Sequence, residues 1–226
     1  MNVSPENASP ATRFAPEPDP TGPVYAFVPA HADSNAAEVA REVSRRLAEL
    51  GHSVLLSDFY AHGFPLWGTA EAPQRLDGHT WGAFVTHGED FDTLEAREAH
   101  PREIRRLLDC ARHRYQVTCA DLTQSKEVVA LEVLRQADSI FVVCASDPAS
   151  LNLAQFKATW LRSIDLDQKC GLLLHRVPGG ASAREAEERT GLPVCAVVDS
   201  AEDLQHLAAW LGSATEPIAV PAVGAA

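Results

Sequence analysis

The sequence of 226 residues predicts a doubly wound α/β domain, in which helices cover both faces of a mostly parallel sheet to make a three-layer sandwich. Two observations predict this class. Short, nearly continuous apolar segments such as VYAFV and SIFVVC are typical of strands that are buried on both faces. These segments alternate with segments in which apolar residues recur at helical spacing. With 46% hydrophobic residues, the chain can fill one sizeable core.

The predicted elements follow each other in order. The first helix shows the reasoning: Val39, Val43 and Leu47 fall on one face, and Gly51 ends the helix. Strands are predicted at 24–30, 53–59, 115–122, 139–146, 170–177 and 193–200, and helices at 35–50, 101–114, 126–136, 151–164, 183–190 and up to about 211. Residues 60–100 are predicted to be loop-rich, with one short strand at WGAFVT.

Composition bounds the rest of the chain. The proline-containing ends, 1–22 and 213–226, are predicted to be a disordered arm and a disordered tail around one domain, 23–212. The net charge of −12 argues against nucleic-acid binding. The sequence has no apolar run long enough for a membrane span, no signal-peptide pattern and no basic amphipathic anchor, so a cytoplasmic protein is expected.

The spacing of the cysteines and histidines indicates neither a redox motif nor a metal site. None of the five cysteines forms a C-x-x-C pair, and we expect them to be buried thiols. The nine histidines show no H-E-x-x-H or H-x-H spacing, so no metal site is expected. No G-x-S-x-G motif or Ser/Cys–His arrangement indicates a nucleophilic enzyme.

Parallel α/β sheets hold their ligands at the carboxyl ends of the strands. The segments that follow Ala30, Asp58, Asp121, Ala145 and His175 are therefore the candidate site.

Several phrases, in this order, resemble the MinD/ParA/CpaE group of P-loop ATPases of the SIMIBI class. They are LAELGHSVLLSD, YQVTCADL, ADSIFVVCASDPASLNLAQFKATWLRSI and CGLLLHRVPGGASAREAEERTGLPVCAVVDS, and together they span about residues 23–212. The resemblance implies a P-loop NTPase-like fold, an ATP and magnesium site after the first strand, and dimers that form across bound ATP.

The phosphate loop of that family, KGGxGKTT, falls on residues 31–38, where this sequence reads HADSNAAE. His31 stands for the signature lysine, Ala36 for the phosphate-binding lysine and Ala37 for the magnesium-binding hydroxyl. The family's glycines are replaced by Ala32, Asp33 and Asn35, whose side chains obstruct a backbone cradle for phosphate, although asparagine still tolerates a left-handed backbone.

Asn35 and Glu38 have the spacing of a capping box. This pattern predicts a helix start at which Asn35 and Glu38 occupy the free N–H groups, with Asp33 adding a second negative charge. The hypothesis is that the remains of the phosphate loop (His31, Asp33, Ser34, Asn35, Ala36, Ala37 and Glu38) are closed on themselves and bind no cofactor.

The resemblance also places three other residues. Asp58 matches the first acid of the second-strand motif, although Tyr60 replaces its partner, and Asp121 matches the Walker B acid. His175 stands where the family has an asparagine that contacts adenine. Without a phosphate or metal to serve, the two acids are expected to be remnants that cap loops rather than catalytic groups.

A local resemblance supports an alternative. VPAHADSNAAEVAREV and GHSVLLSDFYAHGFPLW are similar to the opening of flavodoxin-like quinone reductases, in which Ser34 and Asn35 would contact the phosphate of FMN or FAD. The similarity ends after ADSIFVV, where Leu153 replaces an expected proline and no aromatic residue precedes Phe156.

A binding role is the remaining class. The helix PREIRRLLDCARHR has arginines around an apolar stripe and is either a solvated surface or a dock for an acidic partner. Trp67, Trp81 and Phe84 are either core or a partner patch. We therefore expect a non-catalytic regulatory or adaptor protein with a protein partner. A weakly active ATPase is an alternative, and the oligomeric state is open, a homodimer included.

Overall fold

The structure is a computed structural model that describes residues 22–59, 85–95 and 101–213. The predicted arm and tail, apart from Gly22 and Ser213, lie outside these residues, as do Tyr60, Trp67, Trp81 and Phe84. The strands are β1 (Val24–Pro29), β2 (Val54–Asp58), β3 (Val85–Thr86), β4 (Asp92–Glu95), β5 (Val117–Asp121), β6 (Ser139–Ala145), β7 (Cys170–His175) and β8 (Val194–Val197). The helices are α1 (Ala36–Glu49), α2 (Pro101–Arg114), α3 (Glu127–Gln136), α4 (Pro148–Ser163), α5 (Ala183–Thr190) and α6 (Ala201–Ser213), with a short 3₁₀ helix at Asp167–Lys169.

The eight described strands form one sheet in the order β3-β4-β2-β5-β1-β6-β7-β8. All pairs are parallel except β3–β4, so the predicted fold class is confirmed. β5 lies between β1 and β2, whereas a flavodoxin-like sheet places the second strand beside the first. The flavodoxin-like alternative is therefore wrong about the fold.

Each face of the sheet has its own core because strand side chains alternate. In β1, Val24, Ala26 and Val28 pack with α2, α3, α4 and α5. Tyr25 and Phe27 point the other way and pack with α1 and α6. The aromatic ring of Phe141 in β6 lies 5.6 Å from that of Phe27, which joins the two central strands on the α1 side.

Three predicted details are corrected. In the loop-rich stretch 60–100, β3 lies in the predicted short strand WGAFVT, but its antiparallel partner β4 was missed because Leu94 is the one fully buried residue of β4. Helix α4 begins at Pro148, three residues before the predicted start, because Asp147 caps it. Of the five cysteines predicted to be buried, Cys195 is exposed and Cys110 is half-buried, while Cys119, Cys144 and Cys170 are buried as expected.

One arginine of the basic helix α2 has a structural role that was not predicted. Arg112 donates to the carbonyl groups of Gly22 and Gln136 and forms an ion pair of 2.7 Å with Asp138. This arginine therefore holds the start of β1 and the end of α3 in place and is not part of a solvated basic face.

Candidate functional site

The candidate site lies at the carboxyl ends of the parallel strands. β1, β2, β5, β6 and β7 end at Pro29, Asp58, Asp121, Ala145 and His175. Strand register brings some of these residues side by side, since Asp58 pairs with Asp121 and Ala145 pairs with His175. The five predicted segments therefore all begin at the same end of the sheet, where the parallel strands have their carboxyl ends.

The loop between β1 and α1 is held by a hydrogen-bonded imidazole. Nδ1 of His31 accepts from the backbone N–H of Asp33 at 3.2 Å, and Nε2 of His31 lies 3.0 Å from Oγ of Ser150. Because Nδ1 acts as an acceptor, the proton of the neutral ring lies on Nε2, which donates to Ser150. His31 thus joins the loop to the first turn of α4.

Ser150 is held in turn by Asp147, the residue that caps α4. Oδ1 of Asp147 accepts from the backbone N–H groups of Ala149 and Ser150, each at 3.0 Å. A hydrogen bond from the Ser150 hydroxyl, together with these backbone bonds, holds the pKa of Asp147 below its ordinary value. The side chains of His31, Ser150 and Asp147 form one hydrogen-bonded chain, and neither Ser150 nor Asp147 was singled out from the sequence.

The start of α1 differs from its prediction. Asn35 is the N-cap residue, but its side chain makes no cap hydrogen bond. Its backbone is left-handed (φ 56°, ψ 22°), whereas a side-chain cap requires an extended N-cap residue. Ser182 shows the contrast at α5, because its extended backbone lets it complete a capping box with Glu185. The predicted capping box of Asn35 and Glu38 is therefore wrong.

A buried hydroxyl lies directly before this helix start. Ser34 is only 3% exposed, and its Oγ has no hydrogen-bond partner among the described residues. Its backbone N–H donates to the carbonyl of His31 at 3.1 Å, which tightens the turn between β1 and α1.

The two acidic positions are placed differently. Oδ1 of Asp121 accepts from the N–H of Thr123 at 2.9 Å and from its hydroxyl at 2.5 Å, so this carboxylate stabilises the loop that follows β5. Asp58 ends β2 as an immediate neighbour of Asp121 in the sheet and is half-buried.

A cleft of about 500 Å³ opens between the first turns of α1 and the start of α6. Its lining includes Asn35, Glu38, Arg41, His175, Asp199 and Ser200. Nε2 of His175 is buried and has no partner among the described residues. The volume falls in the range of small-molecule sites.

An ion pair next to His175 stabilises one side of this cleft. Nε of Arg176 lies 2.6 Å from Oδ2 of Asp199, and the backbone N–H of Arg176 donates to Oδ1 at the same distance. The bond joins the end of β7 to the loop after β8. Neither residue stands out in the sequence, because the two become neighbours only when β8 pairs with β7.

Two further observations concern metal sites and membrane spans in the described residues. No group of three or more His, Cys, Asp or Glu side chains within them could hold a metal ion. Among the helices of this part of the chain, none combines the length with the apolar composition that a membrane span requires.

No protein-family model matches the sequence, and no curated protein matches it. Solved structures do match. A ParA family ATPase from Chlorobium tepidum has a TM-score of 0.65 at 16% identity, covering 87% of this chain and 91% of its own. A chain of the MinC:MinD cell division protein complex from Aquifex aeolicus has a TM-score of 0.68 at 12% identity, covering 87% and 98%.

The septum site-determining protein MinD from Pyrococcus horikoshii, solved with Mg-ADP, has a TM-score of 0.59 at 16% identity, covering 79% of this chain and 81% of its own. At these identities the likeness concerns the fold. Taken with the strand order, it shows that this chain has the fold of the MinD/ParA ATPases.

Proposed function

We propose that this chain is a non-catalytic protein on the MinD/ParA ATPase fold and acts as a regulatory or adaptor module for a protein partner. One observation carries the proposal. The first two residues of α1, where the resemblance places the phosphate-binding lysine and the magnesium-binding hydroxyl, are Ala36 and Ala37. A methyl group neither neutralises phosphate charge nor binds a metal ion.

The preceding loop supports the same conclusion. His31 folds onto Ser150 and onto the N–H of Asp33, so one loop donor that could face an anion is already used. The loop and the first turn also contain the carboxylates of Asp33 and Glu38, and a triphosphate placed here would meet like charge. These residues do not fit ATP with magnesium.

Asp121 supports it from the other side of the site. A Walker B acid acts on a metal through water, but Asp121 accepts two hydrogen bonds from Thr123. The Asp121 carboxylate therefore stabilises the loop after β5 through these hydrogen bonds.

One similar structure supports the adaptor role. One matching chain was solved as part of the MinC:MinD cell division protein complex, so this fold can present a surface to a protein partner. Cell division, DNA segregation, pilus assembly and polysaccharide export are the settings that the resemblance suggests.

Calorimetric titration with ATP and magnesium tests the proposal. We expect no binding by the wild type. The variant Ala36→Lys with Ala37→Thr restores the two missing groups, and Leu50→Lys, at the exposed far end of α1, controls for the added charge. Binding by the double variant alone would show that the two alanines account for the loss. Micromolar binding by the wild type would overturn the proposal.

Weak ATP binding and hydrolysis is a second candidate, because one observation favours it. The start of α1 has no side-chain cap and is preceded by a left-handed residue, so N–H groups are left for an anion, next to a cleft of nucleoside size. A phosphate-release assay on the same samples separates this candidate from the first.

A further inference from the structure

A second pocket, of about 260 Å³, lies between the strand β8 and the helix α6. Three residues of β8 form one wall, and Asp203, His206, Leu207 and Trp210 of α6 form the other. Asp203, Leu207 and Trp210 recur at intervals of four and three residues, so they share one face of the helix. The volume is below the range of about 300–1,000 Å³ for small-molecule sites, and it suits a single side chain.

Trp210 supplies an exposed aromatic ring to this pocket. The residue is 53% exposed, yet its ring makes an edge-on contact with Phe141, whose ring centre lies 6.3 Å away. The indole is therefore held in place while much of its surface stays open. An open indole surface attracts cations, because tryptophan is the best aromatic partner of a guanidinium or ammonium group.

Asp203 supplies the charge of the pocket. It is the one Asp, Glu, Lys or Arg among the described residues that line it. The hydroxyl and the backbone N–H of Ser200 donate to Oδ2 of Asp203 at 2.7 and 3.0 Å, and these bonds lower the pKa of Asp203. The carboxylate is therefore ionised at neutral pH, and it has further lone pairs for a cationic donor.

Charge selects the occupant. A second copy of this surface has no lysine or arginine in its described lining and would place Asp203 against Asp203. The residues that follow Ser213 in the chain also contain no lysine or arginine. The net charge of −12 favours a cationic partner as well.

The position of β8 favours a cation that is carried by a polypeptide. Among the described strands, β8 is the outermost on its side of the sheet and pairs with β7 alone. Its outer edge therefore has main-chain groups beside the pocket, to which an extended segment can bond. The register with β7 skips Cys195, and a short bulged edge of this kind is a poor template for pairing with an identical strand.

We propose that the pocket between β8 and α6 binds an arginine side chain on an extended segment of a partner protein. The guanidinium stacks on the ring of Trp210 and donates to the carboxylate of Asp203, while the main chain of the segment lies along β8. Arginine fits this site better than lysine, because its planar group both stacks and donates. The inference rests on the proposed function, for which it names the surface and the chemistry of the partner.

An NMR titration of the isotope-labelled full chain, without nucleotide, tests the pocket. The probe is the peptide acetyl-Ser-Val-Arg-Val-Ser-amide, and we expect it to shift the amide signals of β8 and α6. The same peptide with citrulline or glutamate in place of arginine should not bind. Asp203→Asn, whose amide oxygen still accepts from Ser200, should weaken binding about tenfold, and Trp210→Ala about threefold or more.

Matched variants separate the pocket from general effects. Glu202→Gln removes the neighbouring exposed carboxylate of α6, which does not line the pocket, and should bind as the wild type does. Leu50→Ala removes another exposed apolar side chain and should also bind normally. Trp210→Phe keeps a ring and should bind more tightly than Trp210→Ala, while thermal unfolding of each variant reports whether the fold is intact.

Four outcomes would overturn the proposal. Equal affinity for methylguanidinium alone would assign the pocket to a free small cation. Shifts in β8 that grow with protein concentration in the absence of peptide would assign it to a second copy. Tighter peptide binding by Arg13→Gln would assign it to Arg13, the one arginine that precedes Gly22. No binding, or equal binding of the arginine and citrulline peptides, would remove the site. None of these outcomes bears on the ATP titration, which tests the proposed function separately.

Discussion

The imidazole of His31 and the hydroxyl of Ser150, 119 positions apart in sequence, are joined by a hydrogen bond of 3.0 Å. The bond connects the loop after β1 to the first turn after β6, two strands that lie side by side. Two neighbouring loops of the candidate site are thereby held together, and this gives the first prediction.

His31→Ala should lower the free energy of unfolding by about 1 kcal/mol, because it removes hydrogen bonds to Ser150 and to the backbone of Asp33. For a domain of this size we expect a fall in Tm of about 2–4 °C. His206→Ala removes an exposed imidazole of α6 and should stay within about 0.5 kcal/mol of the wild type. Equal stability of the two variants in urea titrations would show that the bond does not hold the loop.

Stability should fall in acid because several helix starts depend on ionised carboxylates. Hydrogen bonds hold the pKa values of Asp147, Glu185 and Asp203 below their ordinary values. Such groups contribute stability above their unfolded pKa and lose it as the pH falls through the folded pKa, so the loss should begin near pH 4.

Asp147→Asn isolates one of these groups. An amide oxygen still accepts hydrogen bonds at the N-cap, but it does not titrate. Unfolding in urea from pH 7 to pH 3 should therefore show a smaller acid loss for this variant than for the wild type. Parallel curves for the two proteins would contradict the assignment.

Gly180→Ala should destabilise the loop after β7 by about 1–3 kcal/mol, as overpacking does. A Cβ at Gly180 would lie 2.1 Å from Oγ of Ser146 and 3.0 Å from both its Cβ and its carbonyl oxygen. Rotation of the Ser146 side chain relieves only the first of these contacts, and it would break the bond of 2.9 Å between that Oγ and the N–H of Val177.

Gly171→Ala is the matched comparison. Its Cβ would also meet a side-chain atom at 2.1 Å, the Sγ of Cys195, but the next contact is at 3.5 Å. Cys195 is exposed, so its sulfur can rotate away. Thermal unfolding should rank Gly180→Ala as the less stable of the two variants, and the reverse order would contradict the packing.

Thr118→Val should leave stability unchanged or raise it by about 1 kcal/mol. Oγ1 of Thr118 is buried in β5 and has no partner among the described residues, so its hydroxyl is desolvated without compensation. Ser44→Ala is the control, because the buried Ser44 hydroxyl donates to the carbonyl of Ala40 at 2.8 Å. In guanidinium titrations only the control should lose stability.

The elements with strong periodicity could be predicted from the sequence, and the bounds of α2 and α5 match their predictions. β4 could not, because a short strand near the edge of the sheet with one fully buried residue has no alternating pattern to detect. The start of α4 was readable, since Asp147 followed by Pro148 is a helix-start signal.

Some features of the candidate site could likewise be predicted from the sequence, and others could not. The positions of Asp58, Asp121 and His175 at strand ends were predictable, because the chain order of buried strands determines where each one ends. The backbone conformation of Asn35 was not, since asparagine is compatible with both an extended cap and a left-handed turn. The contacts of His31 with Ser150 and of Arg176 with Asp199 depend on strand pairing over long separations, which local pattern does not encode.

The central position of β1 has a consequence for how the chain acquires its structure during synthesis. Val24 pairs with Thr118 and Tyr25 pairs with Ser139, so β1 has no partner in the described sheet until β5 and β6 have been translated. A nascent chain that ends before β5 therefore exposes an apolar strand with two open edges, a state prone to association. Closure of the sheet around β1 is a late event with a large loop-closure cost, and it should set the pace of folding.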